Sequence, residues 1–246
     1  MGASSASGQT ALAATAALVA LAFALCTLER WLERRRPHEL AWTVAMGMFA
    51  MAAGALWLGA ADGWDGPTFR VFYLFGAILN VPFLALGTVY LLAGRRRGDR
   101  VAVGVALSSA FAAGVLMVAP LSNHVPAHRL PQGSEVFGPL PRVLAAVASG
   151  AGALVVLGGA AWSAWRFGRQ GRSRGLGARR MAGANGVIAL GTLVLGASGL
   201  FNSVLGDMEA FALSLAAGII LLFAGFLLAT SAPRPAVAKR HGGRET

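Results

Sequence analysis

Seven runs of about twenty apolar residues dominate this chain, at 9–28, 40–61, 69–93, 101–120, 143–165, 182–204 and 210–230. One charged side chain falls inside them, Arg70 at the start of the third. A bilayer core about 30 Å thick is crossed by roughly 20 helical residues. A charge at mid-bilayer costs about 2.5–3.5 kcal/mol on insertion scales, so charge-free runs of this length are the signature of spanning helices. The expected fold is therefore an all-α membrane protein, a seven-transmembrane helix bundle over residues 1–230, followed by a flexible basic tail at 231–246.

Composition agrees. The chain of 246 residues is 56% apolar and 13% charged, against about a quarter charged in soluble domains. Its 33 glycines suit membrane helices, whose backbones approach through small residues. A net charge of +11 raises nucleic acid as a partner, but that needs a basic face on a folded domain. Here the arginines sit in short clusters between uncharged runs, which excludes nucleic acid and points to anionic lipid headgroups. Cys26 is the one cysteine, which rules out an intrachain disulfide, a CxxC redox pair and a multi-thiolate metal site.

Residues 1–27 carry no charged side chain, unlike the positive start of a signal peptide, so the first run reads as a retained helix. Of the 21 basic residues, 18 lie in the first, third and fifth loops and the tail. Only Arg70, Arg129 and Arg142 fall on the other side. The positive-inside rule then sets the N-terminus outside and the C-terminus in the cytoplasm, in a bacterial cytoplasmic membrane. Trp31, Trp42, Trp162 and Trp165 fall near inner span ends, and Trp57 and Trp64 near an outer one, as expected of interfacial indoles.

The longest loop, 121–141, is outside and holds Pro126, Pro131, Pro139 and Pro141, which disfavour regular structure. Within it His124, His128 and Glu135, with Asp62, Asp65, Asp207 or Glu209 from neighbouring loops, would be the only metal-ligand set, and Pro126 weakens it. No metal site is assigned. Arg70 is expected to pair with Asp62 or Asp65. Leu56-Trp57-Leu58-Gly59-Ala60-Ala61 echoes Leu193-Val194-Leu195-Gly196-Ala197-Ser198, consistent with spans 1–3 repeated as 5–7 about a single fourth span, a plan known among small sugar transporters.

Span three carries the most information. Tyr73, Gly76, Asn80, Phe83, Gly87 and Tyr90 form one helical stripe. Pro82 leaves a carbonyl near Ile78 without its donor. Asn80 needs partners in hydrocarbon, so this stripe should face the bundle interior. Span six holds Asn185, Thr192, Ser198, Asn202 and Ser203. Tyr73, Asn80, Asn202 and Ser203 are the candidate ligand or interior polar site. Thr43, Gly47, Ala50 and Gly54 in span two read as a close-packing stripe.

The absences bound chemistry more tightly. The spans hold no lysine for a retinal Schiff base, no histidine for haem or zinc, and no carboxylate for proton-coupled transport. No inner loop has a phosphate-binding glycine motif. No catalytic residue and no cofactor is assigned.

The segments Arg36-Pro37-His38-Glu39-Leu40-Ala41-Trp42, Phe69-Arg70-Val71-Phe72-Tyr73-Leu74-Phe75-Gly76 and Leu86-Gly87-Thr88-Val89-Tyr90-Leu91-Leu92 resemble those of a group of uncharacterised multispanning proteins from high-GC bacteria. More distantly they resemble the seven-helix sensor modules that precede some bacterial histidine kinases. The resemblance covers about a quarter of the chain, mainly spans two and three, and supplies no catalytic residue. The chain departs from the sensor kinases in having no kinase or other output domain. The expected role is a non-enzymatic, sensor-like or accessory membrane subunit working through a protein partner at its cytoplasmic face. The alternative is a small transporter for an uncharged or zwitterionic solute, centred on Asn80 and Asn202.

Overall fold

The computed structural model describes residues 2–121, 125–174, 176–200 and 208–230. Eight helices are described: α1 (Gly2–Arg34), α2 (Pro37–Asp62), α3 (Gly66–Ala93), α4 (Arg95–Val118), the one-turn α5 (Gly133–Val136), α6 (Pro139–Arg174), α7 (Leu176–Leu200) and α8 (Met208–Thr230). No strand occurs among the described residues. Six of the helices are long and apolar enough to cross a membrane: Gly8–Arg34, Pro37–Asp62, Gly66–Ala93, Arg95–Val118, Pro139–Ser163 and Ala210–Leu228. The expected sixth span, 182–204, falls largely on α7. There the apolar helix reaches only from Gly186 to Gly196 among the described residues.

The helices run longer than the apolar segments at the arginine-rich end of the bundle. Helix α1 continues to Arg34 and α2 begins at Pro37, three residues before the expected start of the second span. Proline is well placed there, because the first helical position lacks an intrahelical N–H partner anyway. The turn between them is completed by Arg35, whose φ is 52°, with its guanidinium 4.7 Å from the Trp31 ring centre. Gly63 (φ 94°) and Gly94 (φ 82°) occupy the α2–α3 and α3–α4 turns, where a side chain would be strained.

Each helix has two principal neighbours, with one exception. α1 packs on α2 and α8, α2 on α3, α3 on α6, α6 on α7, and α7 on α8. The six close a ring. Helix α4 lies outside it, held mainly against α3. Only 11% of its apolar stretch is buried, compared with 44% for those of α2 and α8. Phe111, Leu107 and Met117 are accordingly exposed, in positions that suit lipid contact.

Lipid tails are as apolar as leucine, so packing fit rather than water exclusion holds membrane helices together. Small residues provide that fit here. Ala16 and Ala20 of α1, Ala45 and Ala53 of α2, and Ala216 of α8 let these backbones approach around Phe23, Phe49, Ile219 and Phe226. Gly191 of α7 abuts the backbone of Gly218 and Leu222 of α8, and Gly225 abuts that of Ile188 and Ala184. The expected stripe on α2 does not serve this purpose. A side chain at Gly47 or Gly54 would meet open space. The close approaches are instead at Gly59 under Trp64, Gly87 under Trp42 and Gly98 under Tyr90.

At the opposite end the long loop is folded. Its described part, 125–138, carries α5, closed by a capping box in which Gln132 and Glu135 serve each other's backbone N–H groups. Leu130, Pro131, Val136 and Phe137 are buried. The Trp64 backbone N–H donates to the Ala127 carbonyl at 3.0 Å, tying this loop to the α2–α3 turn. Trp64 is itself only 4% exposed, so it is a core plug between Gly59, Phe69 and Phe72 and not the interfacial indole expected. Trp57, Trp162 and Trp165 are exposed as expected.

Arg70 also differs from expectation. It pairs with neither Asp62 nor Asp65. Its guanidinium donates to the carbonyls of Leu116, Met117 and Ala119 at the end of α4 and lies 5.9 Å from the Phe137 ring centre. The last carbonyls of a helix have no internal donor, so one arginine closes α4 and anchors it to α3. Replacing Arg70 with Met, which keeps the stem and removes the donors, should cost about 1–3 kcal/mol. Thermal unfolding in detergent should show the loss as a drop of several degrees, and an unchanged midpoint would contradict this role.

Candidate functional site

Two polar places interrupt the apolar bundle. The first lies midway along α3. Between Tyr73 and Leu79 the helix is π-wound, and the Asn80 N–H reaches back five residues to the Phe75 carbonyl. Just past that winding, in the α-helical part of α3, lies Pro82, which has no N–H to give the turn before it. In that preceding turn Ser149 of α6 donates its hydroxyl to the Ala77 carbonyl, at 2.5 Å. The approach is possible because Gly152, one turn along, has no side chain. A Cβ there would sit 3.0 Å from the Val81 carbonyl. The sequence pointed to an unmet carbonyl near Ile78, and the interhelical donor at this turn falls on the neighbouring Ala77 carbonyl.

The stripe on α3 does face the interior, and it divides between two surroundings. Tyr73 belongs to the loop end, with its ring 5.1 Å from that of Phe137 and 5.7 Å from that of Phe69, and Gly133 of α5 against its hydroxyl. Gly76 meets Ala52 of α2 and Gly87 lies under Trp42. Tyr90 donates to Asp99 at 2.9 Å at the arginine-rich end. Asn80, 7% exposed, lies between them, and its Oδ1 is enclosed with no hydrogen-bond partner. An unmet acceptor of this kind costs about 1–3 kcal/mol, and π segments are frequent at functional positions. Tyr73 and Asn80 are therefore brought onto one helix face but not into one pocket. Asn202 and Ser203 lie outside the described residues. Thr192, buried on α7, bonds only to the Ile188 carbonyl of its own helix.

The second place was not anticipated. Because α2 starts at Pro37, Glu39 enters the bundle, contrary to the expectation that no span carries a carboxylate. It is 1% exposed. Arg30 of α1, also inside its helix, puts Nε 3.5 Å from Glu39 Oε1. Neither carboxylate oxygen and not the Arg30 Nε has a hydrogen-bond partner. Beside them the Thr43 hydroxyl is within 2.9 Å of the Glu39 backbone carbonyl and 3.0 Å of the Thr27 hydroxyl, and Thr27 bonds to the Phe23 and Ala24 carbonyls. Phe226 of α8 covers the guanidinium, 5.3 Å from its ring centre, and Trp42 meets Phe226 edge-on. Desolvating each ion costs several kcal/mol, and attraction across this distance returns a similar amount. In the sequence, the signal was Pro37 as a helix start with Glu39 two residues in.

The loop end carries its own charge pair. Arg129 grips Glu135 with both amino groups, at 2.6 and 3.0 Å. Those bonds, and then the Gln132 N–H, hold the Glu135 carboxyl below its ordinary value. Thr68, capped by Asp65 at 2.8 Å, lowers Asp65 in the same way. Glu135 is thus committed to Arg129, and His128 is exposed on the loop. Among the described residues no three metal-ligating side chains gather. His124 lies outside the described residues. Comparison with protein-family models, with curated proteins and with solved structures finds no match.

The Glu135 interaction gives a signed pH dependence. A carboxyl lowered on folding contributes stability that is complete above its unfolded value, here near 4.5, and is lost as pH falls through the lower folded value. Arg129→Gln should therefore unfold earlier than the parent at neutral pH. The difference should shrink toward zero as the medium is acidified below that range. A gap that is independent of pH would contradict the assignment.

Proposed function

We propose that the chain is a seven-span, non-enzymatic, sensor-like or accessory subunit of a bacterial cytoplasmic membrane, with its N-terminus outside and its C-terminus inside. In this reading α7 completes the seventh span and the arginine-rich end faces the cytoplasm, against anionic headgroups and a protein partner. The positive-inside bias supports the orientation. The observation that carries the functional reading is the seating of the folded outer loop on the start of the π-wound segment of α3.

The physical link is short. Phe137 and Gly133 hold Tyr73, and Tyr73 opens the π segment. A π segment contains one residue more than the α-helix it replaces. Relaxing it to α winding turns the part of α3 beyond it relative to the part before. Asn80, Gly87 beneath Trp42, and Tyr90 beside Asp99 all lie beyond it. A ligand or a force that shifts the outer loop would thus be felt at the arginine-rich α3–α4 connection. With two packings of α3 close in energy, a small bias at one end moves the other.

Two outcomes are expected. Gly133→Val, which pries the loop from Tyr73, should raise hydrogen exchange in both the 73–80 segment and the 94–100 connection; a change confined to the loop would contradict the coupling. Native mass spectrometry of the gently extracted protein should find a stoichiometric protein partner. Replacing Arg95, Arg96 and Arg97 together by Gln should release it.

One observation favours a second reading, a small transporter for an uncharged or zwitterionic solute. Three helices before α4 and three after it form the ring, with α4 outside, which is the count and placement a three-plus-one-plus-three repeat would have. A lone chain that passes solutes into vesicles, and stops doing so as Asn80→Leu, would replace the first reading with this one.

A further inference from the structure

Among the described residues Glu39 is the buried acidic side chain. Glu29, Glu33 and Asp62 are exposed to their surroundings, and Asp65, Asp99 and Glu135 are each met by a hydrogen-bond donor. Glu39 is enclosed by α1, α2 and α8, and neither of its oxygens accepts a hydrogen bond. The nearest hydroxyl, that of Thr43, is engaged with the Glu39 backbone carbonyl and with Thr27, so it does not serve the carboxylate.

An ionised carboxylate offers only acceptor sites, about four lone pairs. A buried one without donors is the costly state of the group. A single cation stands against that cost, Arg30, touching through Nε at 3.5 Å with no hydrogen bond made. Arg30 is also partly exposed, its side chain 25% accessible, so its charge can be satisfied by water or headgroup phosphate when Glu39 is neutral. The other charged and titratable groups at this end are Glu29, Glu33 and Arg34 on α1, all exposed, Arg35 and Arg36 in the α1–α2 turn and His38 on α2. On α3 Tyr90 is paired with Asp99 of α4. The described part of α8 that reaches this end brings apolar side chains only, Phe226 among them. An ionisable group inside a spanning helix is expensive to keep and marks a functional position by default.

We propose that Glu39 is a proton-binding site at the arginine-rich end of the α1–α2–α8 wedge, with Arg30 as its partner in the ionised state. The ligand is a proton. Taking it up removes the charge on Glu39 and frees the Arg30 guanidinium toward the membrane surface; releasing it re-forms the pair that ties α1 to α2. This site is separate from the α3 coupling, and either can fail without the other.

The test uses the full chain in lipid vesicles, titrated from alkaline to acidic pH. Dicyclohexylcarbodiimide, an apolar reagent that reacts with protonated buried carboxyls, should modify Glu39, and mass spectrometry should find the yield rising several-fold as pH falls. Infrared difference spectra between the same pH values should contain a protonated-carboxyl band that is missing in Glu39→Gln. Arg30→Gln, which removes the opposing cation, should raise the modification of Glu39 several-fold at neutral pH. If Glu39 shows no pH-dependent modification and no such band, the pair is permanently ionised and the proposal is overturned. The parent protein alone decides this, even if a variant fails to fold.

Discussion

Pro82 brings no N–H into the middle of α3, and α6 sends a hydroxyl donor to the turn before it. In hydrocarbon no water can serve an unmet carbonyl, so a donor has to come from another helix. The Ser149 hydroxyl provides one at Ala77, and Gly152 lets α6 come close enough for the reach. That contact is also the seam where α3 meets α6 and the ring passes from its first three helices to its last three. Arg70 solves the same problem at the end of α4. The joints of α3 with α6 and α4 therefore serve backbone carbonyls as well as packing.

Against this background the unrepaired groups stand out. Among the described residues Asn80 Oδ1, Trp64 Nε1, the two oxygens of Glu39 and the Arg30 Nε beside them are enclosed without hydrogen-bond partners. Trp64 has a packing reason, since its ring fills the space over Gly59 and between Phe69 and Phe72. Asn80 and Glu39 have no comparable apolar payload. Polar groups held at a cost inside a bundle are retained where an altered state, a ligand or a proton relieves the cost.

Much of the fold was legible from hydropathy, and much of the site was not. Six of the expected spans were readable because each needs only local information, twenty residues without charge. Partnerships were harder. Arg70 was assigned to the nearby acids by charge, but α4 presented unsatisfied carbonyls beside it and took the arginine instead. Gly47 and Gly54 looked like a packing stripe by spacing, yet face open space, because which side of α2 meets a neighbour depends on helix rotation. Glu39 was placed in a loop because hydropathy falls at Pro37, although the helix itself begins there. A similar boundary error concealed Arg30 within α1.

The sequence by itself determined that the chain forms long apolar helices, and that arginine gathers at one end of the bundle. These follow from the cost of placing charge or unpaired backbone in hydrocarbon, which each segment meets alone. Tertiary structure decided the rest: the closed ring with α4 outside, the π winding between Tyr73 and Leu79, the loop folded onto Tyr73, and the enclosure of Glu39 against Arg30. None of these has a local cause. Each depends on which side chain of a distant helix arrives opposite a polar group, and that is set by helix rotation and close approach in three dimensions.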